Sequence, residues 1–477
     1  MFWQPAARCE YSCAVMRGLQ TTELGDIRST YDTVVIGAGP AGCVTAACFA
    51  ARGASVLLIE SNPKAARRFA GEWIHPEGAR VLNAHGLLEG LESSVEGRGF
   101  VVFPNDGLGP IRLDYPGLAT GLACEHETLV THLRRRVAGL SHVDYVEGVR
   151  GRLAGPDAVE LSAGGGKTHR VQSRRVVVAA GRSSRGVAEA TREDQVSISL
   201  MAGLVVTDTH LPFDGYGHVI VGGPGPVLAY RIDERRIRLC IDVPNAIRRG
   251  AYAPEWIWKS FAEVLPAALR PGVREGLSNA SLSWASNAFR PRRYQAGSGV
   301  ALVGDAAGVF HPLTAMGITM SLLDAEALAQ AQSLPEYASR RASQSYIPEL
   351  LSNAIYQAFV RSDPGSEAIR DSIYRTWRSS SAHRSRTMNL LGAASSSRGD
   401  FVRAFSRVAL RAGAGALLSD PRTVLDLANW LKWPWASLHP QPASVRSRSL
   451  SWAAPESWDR SDFFRSRQPF KEKQHAN

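Results

Sequence analysis

Three glycines and a carboxylate carry the first recognisable chemistry in this chain. Gly37, Gly39 and Gly42 stand at the spacing G-x-G-x-x-G, and Glu60 follows 23 residues after Gly37. Binding a dinucleotide needs each of them. Gly37 permits a tight turn, Gly39 lets the backbone approach a pyrophosphate, Gly42 lets helix and strand pack closely, and Glu60 accepts from a ribose hydroxyl. Ala38, Pro40 and Ala41 complete the loop. The elements that must position these residues follow in order. Residues 33–36 read as a buried β-branched strand, 41–52 as an Ala-rich helix and 55–59 as a second apolar strand ending in Glu60. In such a βαβ unit the helix N-terminus faces the ligand's negative charge. A glycine-rich turn in an ordinary α/β sheet would leave Glu60 without a reason. In the basic loop 61–69, Arg67 and Arg68 either neutralise the adenosine-side pyrophosphate or are simply solvated.

Length and composition exclude several classes. A chain of 477 residues has room for two or three domains, and 44% hydrophobic with 21% charged residues is ordinary for a globular protein. The net charge of +11 suggests nucleic acid, but only six of the 55 basic residues are Lys and the Arg are scattered. No basic-helix, zinc-finger or RNP pattern accompanies them, so nucleic acid is not an expected partner. The excess lies toward the C-terminal third, which suits an anionic membrane surface. Cys9, Cys13, Cys43, Cys48, Cys124 and Cys240 form no C-x-x-C pair. They read as reduced thiols of a cytoplasmic protein, and no metal is expected. Residues 1–30 lack the apolar core of a signal peptide and read as a disordered leader, with Met16 as an alternative start. No uninterrupted apolar run is long enough to span a bilayer, so any membrane contact would be peripheral.

The expected class is α/β: a Rossmann-type nucleotide-binding domain with an inserted β-sheet substrate domain and a C-terminal helical region. Its first part covers 31–190. Apolar runs such as Val227-Leu228-Ala229-Tyr230 and alternating residues such as Ile237-Arg238-Leu239-Cys240-Ile241 place the inserted sheet at 191–290. The strand 299–303, running into Gly304-Asp305-Ala306, returns the chain to the nucleotide domain at 291–335. Residues 336–440 read as mainly helical. The Ser-, Arg- and Pro-rich stretch 441–477 reads as disordered.

At this point the residues resemble the FAD-dependent monooxygenases of the para-hydroxybenzoate hydroxylase type and, within them, the squalene monooxygenase (squalene epoxidase) family. Three stretches carry the resemblance, which covers about residues 31–430. They are the fingerprint 37–42 with Glu60; Gly71-Glu72-Trp73-Ile74-His75-Pro76-Glu77-Gly78; and Gly304-Asp305-Ala306 followed by His311-Pro312-Leu313-Thr314-Ala315-Met316-Gly317-Ile318. Softer matches are 145–149 and 225–230. The resemblance implies FAD held by Gly37 to Gly42, Glu60, Ser61, Arg68, Val149, Gly304, Asp305, Gly317 and Ile318. Asp305 would serve the ribityl-phosphate arm, or else act only as a helix N-cap. The helix beginning near Gly317 would point its N–H groups at the flavin. His75 and Phe100 would lie beside the flavin as the catalytic pair, unless His75 merely caps the helix after it or is solvated. The implied reaction takes one oxygen from O2 through a flavin C4a-hydroperoxide into an apolar isoprenoid or polyene, by epoxidation or hydroxylation. NADPH or NADH would supply the electrons, directly or through a separate reductase.

The departures from the family pattern matter as much. The D-G-x-x-S-x-x-R motif is here Ala180-Gly181-Arg182-Ser183-Ser184-Arg185-Gly186-Val187, which argues for a reductase partner. A basic residue near Thr128 that would contact FAD is absent. His75 stands for Gln, Phe100 for Tyr and Ala315-Met316 for Gly-Gly, which makes that loop bulkier and stiffer. His311 is expected to brace its turn rather than act as a base. The stretch 401–411, with Trp430, Trp433 and Trp435, reads either as a helix lying in a bilayer surface or as a cap over an apolar pocket. The alternatives to a monooxygenase are a reductase of the geranylgeranyl-reductase type, a halogenase (disfavoured, because 430–435 is not W-x-W-x-I-P) and a degenerate, non-catalytic flavoprotein.

Overall fold

A computed structural model describes residues 21–419, apart from 92, 165, 167, 183–195, 248–252, 280–281 and 297–298. Cys9, Cys13, the departure at 183–187, most of the leader, the tryptophans at 430–435 and the 441–477 tail therefore lie outside the described residues. Strand β1 (Thr30–Ile36) runs into helix α1 (Pro40–Ala50), and β2 (Val56–Glu60) follows. Then come β3 (Trp73–Ile74), α2 (Pro76–Ala84), β4 (Val95–Gly97), β5 (Gly99–Phe103), β6 (Ile111–Asp114) and β7 (Gly121–Ala123). Helix α3 (His126–Ala138) leads to β8 (Val143–Glu147), β9 (Arg150–Leu153), β10 (Ala158–Ser162) and β11 (Thr168–Val178). The chain continues through β12 (Val196–Thr207), β13 (Tyr216–Ile220), β14 (Val227–Arg231), β15 (Arg236–Val243), α4 (Ala253–Phe261), α5 (Arg270–Asn279) and β16 (Ser283–Phe289). Strands β17 (Gln295–Ala296) and β18 (Val300–Leu302) precede α6 (Gly317–Gln330). Helices α7 (Leu334–Val360), α8 (Pro364–Ser379), α9 (Ser381–Leu391) and α10 (Arg398–Ser419) complete the described fold.

The nucleotide unit is built on a sheet in the order β17-β18-β11-β1-β2-β8, with β10 and β9 continuing from β11. Strands β18, β11, β1, β2 and β8 run parallel. A parallel sheet is covered on both faces, so its strands are apolar runs rather than alternating ones. All five residues of β2 are buried. Every residue of α1 is buried too, and small side chains such as Ala46, Ala47 and Cys43 let it fit there. Helix α6 packs on α1 over the same sheet.

The second sheet has seven strands in the order β16-β12-β15-β14-β13-β5-β6. Sequence reading expected this sheet within 191–290. The structure draws β5 and β6 from the first segment, pairing β5 parallel to β13 from Tyr216↔Gly99 to Ile220↔Phe103. No local pattern announces that pairing, because a parallel partner more than 100 residues away leaves no turn signal. One face of the sheet packs α4 and α5 through Leu204, Leu239, Ile241 and Phe261. The other forms an apolar wall, including Phe100, Tyr230, Ile355 and Trp377, with helices α7 and α8.

Candidate active site

The fingerprint loop is fixed by steric limits that only glycine meets. Gly37 has φ +107°, and a Cβ there would lie 2.6 Å from the Ala179 carbonyl oxygen. A Cβ on Gly42 would sit 1.8 Å from the Gly37 carbonyl oxygen. Gly39 is the contrast: nothing lies within 4 Å of the position its Cβ would take. It caps α1, whose first residue is Pro40. Open space in front of a helix N-terminus is where an anion binds.

Glu60 is braced rather than bare. Its Oε2 accepts from the Ala38 N–H (3.0 Å) and from Arg134 Nη2 (2.9 Å), and its Oε1 accepts from the Asn62 N–H (2.9 Å). Each carboxylate oxygen carries two lone pairs, so Oε1 keeps one for a ribose hydroxyl. Buried Arg134 also donates to the carbonyls of Ala38 and Pro63, both at 2.9 Å. A basic side chain therefore reaches the fingerprint loop from Arg134 and not from Thr128. Sequence reading missed it because it sits between the apolar positions Leu133 and Val137 of α3, where nothing distinguishes an inward Arg. Ser61 is exposed. The Val149 N–H donates to the Glu60 carbonyl (3.2 Å), holding β2 against the following loop.

Asp305 follows β18 and is 35% exposed, with Arg182 Nε 3.4 Å away. It lies inside the short turn Gly304–Ala306, whose N-cap is Val303, so it does not occupy the cap position there. Gly304 is wedged between the first turns of α1 and α6: a Cβ on it would be 2.9 Å from both Ala41 Cβ and Ser321 Oγ. The two helix N-terminal turns thus flank one strand end. Arg68 approaches from the other side, its guanidinium 3.5 Å from where a Gly181 Cβ would be. His126, whose pKa burial lowers to about 4, senses both the Arg68 cation and the Asp305 carboxylate.

A buried charge cluster holds that strand end. Asp324 of α6 accepts from the Gly304 N–H (3.0 Å), from Arg341 (2.8 Å) and from Arg292. Arg292 also donates to Tyr294 Oη (2.8 Å), Tyr337 donates to the Leu302 carbonyl (2.8 Å), and Arg290 donates to the Asp305 carbonyl. The one sequence signal for this cluster is Asp324 itself, an acid in the apolar run of α6.

Before α6 the chain makes a turn through Pro312–Thr314. His311 is fully buried and braces it. Its Nδ1 accepts from the Leu313 N–H (3.2 Å), so its proton sits on Nε2 and faces Asp242 Oδ1 (3.2 Å). Asp242 also accepts from Asn287 (2.9 Å), Tyr356 (3.1 Å) and Ser199. Ala315, standing where the resemblance expects Gly, adopts φ +53°. Gly317 opens α6 with nothing within 4 Å of its Cβ position, while Ile318 is buried and touches the Gly71 Cβ position at 3.3 Å.

His75 and Phe100 are brought together, with ring centroids 5.7 Å apart. His75 is neither a side-chain cap nor solvated. It is fully buried, and burial lowers its pKa to about 4. A carbonyl can only accept, so Nε2–H donates to the Thr314 carbonyl (2.9 Å). Nδ1 therefore accepts from the Tyr115 hydroxyl (2.7 Å), which accepts from Trp73 Nε1–H (3.0 Å). Trp73 lies 5.0 Å from Phe100. The pair thus sits in an apolar wall that touches the turn leading into α6. Glu72, next to Trp73, ties that wall to the seven-stranded sheet through Arg238 (2.7 and 2.8 Å) and Tyr230 (3.2 Å). Tyr115 is the member that sequence reading missed.

Helix α10 turns part of its apolar surface inward. Phe401 and Ala412 are buried, and α10 packs on α8. Leu410, 75% exposed, faces away from that packing. Among the described residues no helix is long and apolar enough to cross a membrane.

The fold and the two glycine-lined helix N-termini define a Rossmann-type dinucleotide-binding protein. A model of NAD(P)-binding Rossmann-like domains matches residues 35–87. Structures of similar fold include p-nitrophenol 4-monooxygenase from Pseudomonas putida (TM-score 0.63, 19% identity, covering 80% of this chain and 99% of that one). Another is a flavin-dependent brominase (TM-score 0.61, 16% identity, 81% and 98%). The squalene epoxidase family model matches residues 175–430, and the chain belongs to that family. Squalene monooxygenase of Rattus norvegicus is 25% identical over 371 residues, which is 72% of this chain and 64% of the rat protein. A squalene epoxidase of Aspergillus fumigatus is 26% identical over 377 residues (72% and 78%). The chain thus spans less than two thirds of the rat relative's length.

Proposed function

We propose that the chain is an FAD-dependent monooxygenase that inserts one oxygen atom of O2 into an apolar isoprenoid or polyene. Membership of the squalene epoxidase family supports the reaction class. The observation that carries the reading is the locked, uncharged His75 beside Phe100, set in an apolar wall against the turn before α6. Oxygen insertion into an apolar substrate requires a surface that excludes water near the reacting atoms. His75 has no free lone pair or proton there: it holds its proton at Nε2 for the Thr314 carbonyl and its Nδ1 lone pair for Tyr115. It shapes and dries the site rather than moving a proton.

The residues fit the cofactor. The open face of Gly39 and the α1 N-terminus would receive the pyrophosphate, Glu60 Oε1 the ribose, and Asp305 with Arg68 the phosphate-bearing arm. The open face of Gly317, at the N-terminus of α6, would receive the ring. When bound, FAD supplies the two-electron activation of O2 that the reaction needs. NADPH or NADH is the ultimate donor; Ala180, in place of the family's Asp, favours delivery through a separate reductase.

The test is oxygen transfer by the purified, FAD-loaded protein, with a chemical reductant, isotopically labelled O2 and squalene or a polyene as probe. Label in the product supports the proposal. Reduced product without label assigns the protein to the reductases. Phe100→Tyr and His75→Gln should change the ratio of oxygenated product to H2O2 while leaving FAD content unchanged. An unchanged ratio in both variants would remove the pair from the site.

A further inference from the structure

One histidine beside the nucleotide cradle keeps a bare lone pair. His126 opens α3 and is only 4% exposed. Its Nδ1 lies 2.9 Å from the Gly71 carbonyl oxygen. A carbonyl only accepts, so the proton sits on Nδ1. Burial lowers the pKa of the ring to about 4 and keeps it uncharged at neutral pH. Nε2 therefore carries a lone pair and no proton. Among the described residues no donor reaches it. His75 is the contrast, since both of its nitrogens are engaged within the protein. A buried acceptor without a donor is unfavourable, and a ligand that brings a donor removes the cost.

The surroundings of His126 say what that ligand group is. Gly71, which receives the Nδ1 proton, has its Cβ position 3.3 Å from Ile318 in the first turn of α6. His126 also senses the Arg68 cation and the Asp305 carboxylate. Further along α3, Arg134 reaches Glu60 and the Ala38 carbonyl. Residues 126 and 134 are about 12 Å apart along a helix axis. Helix α3 thus runs beside the cradle from the carboxylate at the end of β2 toward the entry of α6, with a donor at one end and an acceptor at the other. An ionised phosphate has no proton to give, and its oxygens repel a lone pair. The partner of Nε2 must be an O–H or an N–H. Between its phosphates and its ring, FAD offers the hydroxyls of the ribityl chain.

We propose that His126 is a further cofactor-binding residue, whose Nε2 accepts a hydrogen bond from a ribityl hydroxyl of FAD. The inference rests on the FAD reading above. The test is the dissociation constant of the full-length apoprotein for FAD, read by quenching of flavin fluorescence. His126→Asn keeps a donor where Nδ1–H stands and removes Nε2. It should weaken FAD binding about tenfold, the scale of one hydrogen bond, without lowering the melting temperature of the apoprotein. FAD analogues lacking the 2′-, 3′- or 4′-hydroxyl locate the donor. One of them should bind the unaltered protein about tenfold more weakly than FAD and lose nothing further in His126→Asn. In the unaltered protein the nitrogen-15 resonance of His126 Nε2 should move upfield when FAD binds and stay in place with that analogue. Equal FAD affinity of the two proteins would overturn the proposal, as would a full further loss in His126→Asn with all three analogues. If the variant does not fold, a resonance that FAD leaves unmoved overturns the proposal on its own. A loss that disappears only with 3-methyl-FAD would place Nε2 on the ring imide instead of the ribityl chain. Unaltered protein that takes up no FAD would overturn the FAD reading itself, a result distinct from all of these.

Discussion

The two helix N-termini that flank Gly304 are built in opposite ways. At α1 the loop 37–42 is short, glycine-lined and held by backbone sterics: Gly37 and Gly42 fit where a Cβ would meet a carbonyl oxygen. At α6 the entry turn carries Ala315 in a left-handed conformation and is held by side chains that come from far along the chain. Asp324 gathers Arg292 and Arg341, while Asp242 gathers Asn287, Tyr356 and His311. The first end is rigid because nothing else fits. The second is rigid because buried charges have nowhere else to go. One is a local property of the sequence; the other is a property of the assembled fold.

Asp324 is where this contrast is most exposed to experiment. Replacing it by Ala leaves two buried guanidiniums without their shared carboxylate, and losing one partner of a buried pair costs about 3–5 kcal/mol. Asp324→Ala should therefore lower unfolding free energy by at least that much in urea titrations. A loss below about 1 kcal/mol, the scale of an exposed pair, would mean that the cluster does not hold the α6 end. Asp305→Ala tests the site rather than the brace. Its side chain is part-exposed and lies outside the cap position of its turn, so the fold should persist while the FAD content of the purified protein drops sharply. Unchanged flavin content would remove Asp305 from the cofactor site.

Acid offers the next test. Burial lowers the pKa of His75, His126 and His218 from 6.5 to about 4 in the folded protein. Between those values the unfolded chain binds protons that the folded chain refuses. Stability therefore falls as pH drops from 6.5 toward 4, by at most about 1.4 kcal/mol per pH unit for each histidine. His75→Gln should reduce the slope of unfolding free energy against pH by one proton in that window. An unaltered slope would mean that His75 titrates normally. The smallest effect belongs to Ala315. A left-handed conformation costs a non-glycine residue roughly 1–2 kcal/mol, so Ala315→Gly should stabilise the protein by about 1 kcal/mol once the extra chain entropy of glycine is deducted. Destabilisation would show that the Ala315 side chain contributes packing that outweighs the strain.

Much of the fold was legible in the sequence because its signals are local. The strand, glycine turn, helix, strand and acid at 33–60 lie within one βαβ unit, and each element is declared by its own residue types. Gly304-Asp305 and the turn at 312–314 were legible for the same reason. The seven-stranded sheet was legible only in part: an apolar run marked β14 and alternation marked β15, but the pairing of β5 with β13 joins segments with no shared turn. The packing of α10 was also undecided, because apolar residues interspersed with Arg suit a bilayer surface and a protein face equally.

Residue types alone place a dinucleotide fingerprint at 37–60, because glycine sterics and apolar periodicity act over a few residues; His75, Phe100, Asp305 and Gly317 were singled out by the family resemblance of the motifs around them. The state of those residues was settled by the folded chain. It placed Arg134 on Glu60, Asp324 under Gly304, and Tyr115 and the Thr314 carbonyl on the two nitrogens of His75. Those contacts join residues 20 to 239 positions apart. The penalty for a buried polar group without a partner fixes such pairings, and it acts only once the chain has closed around them.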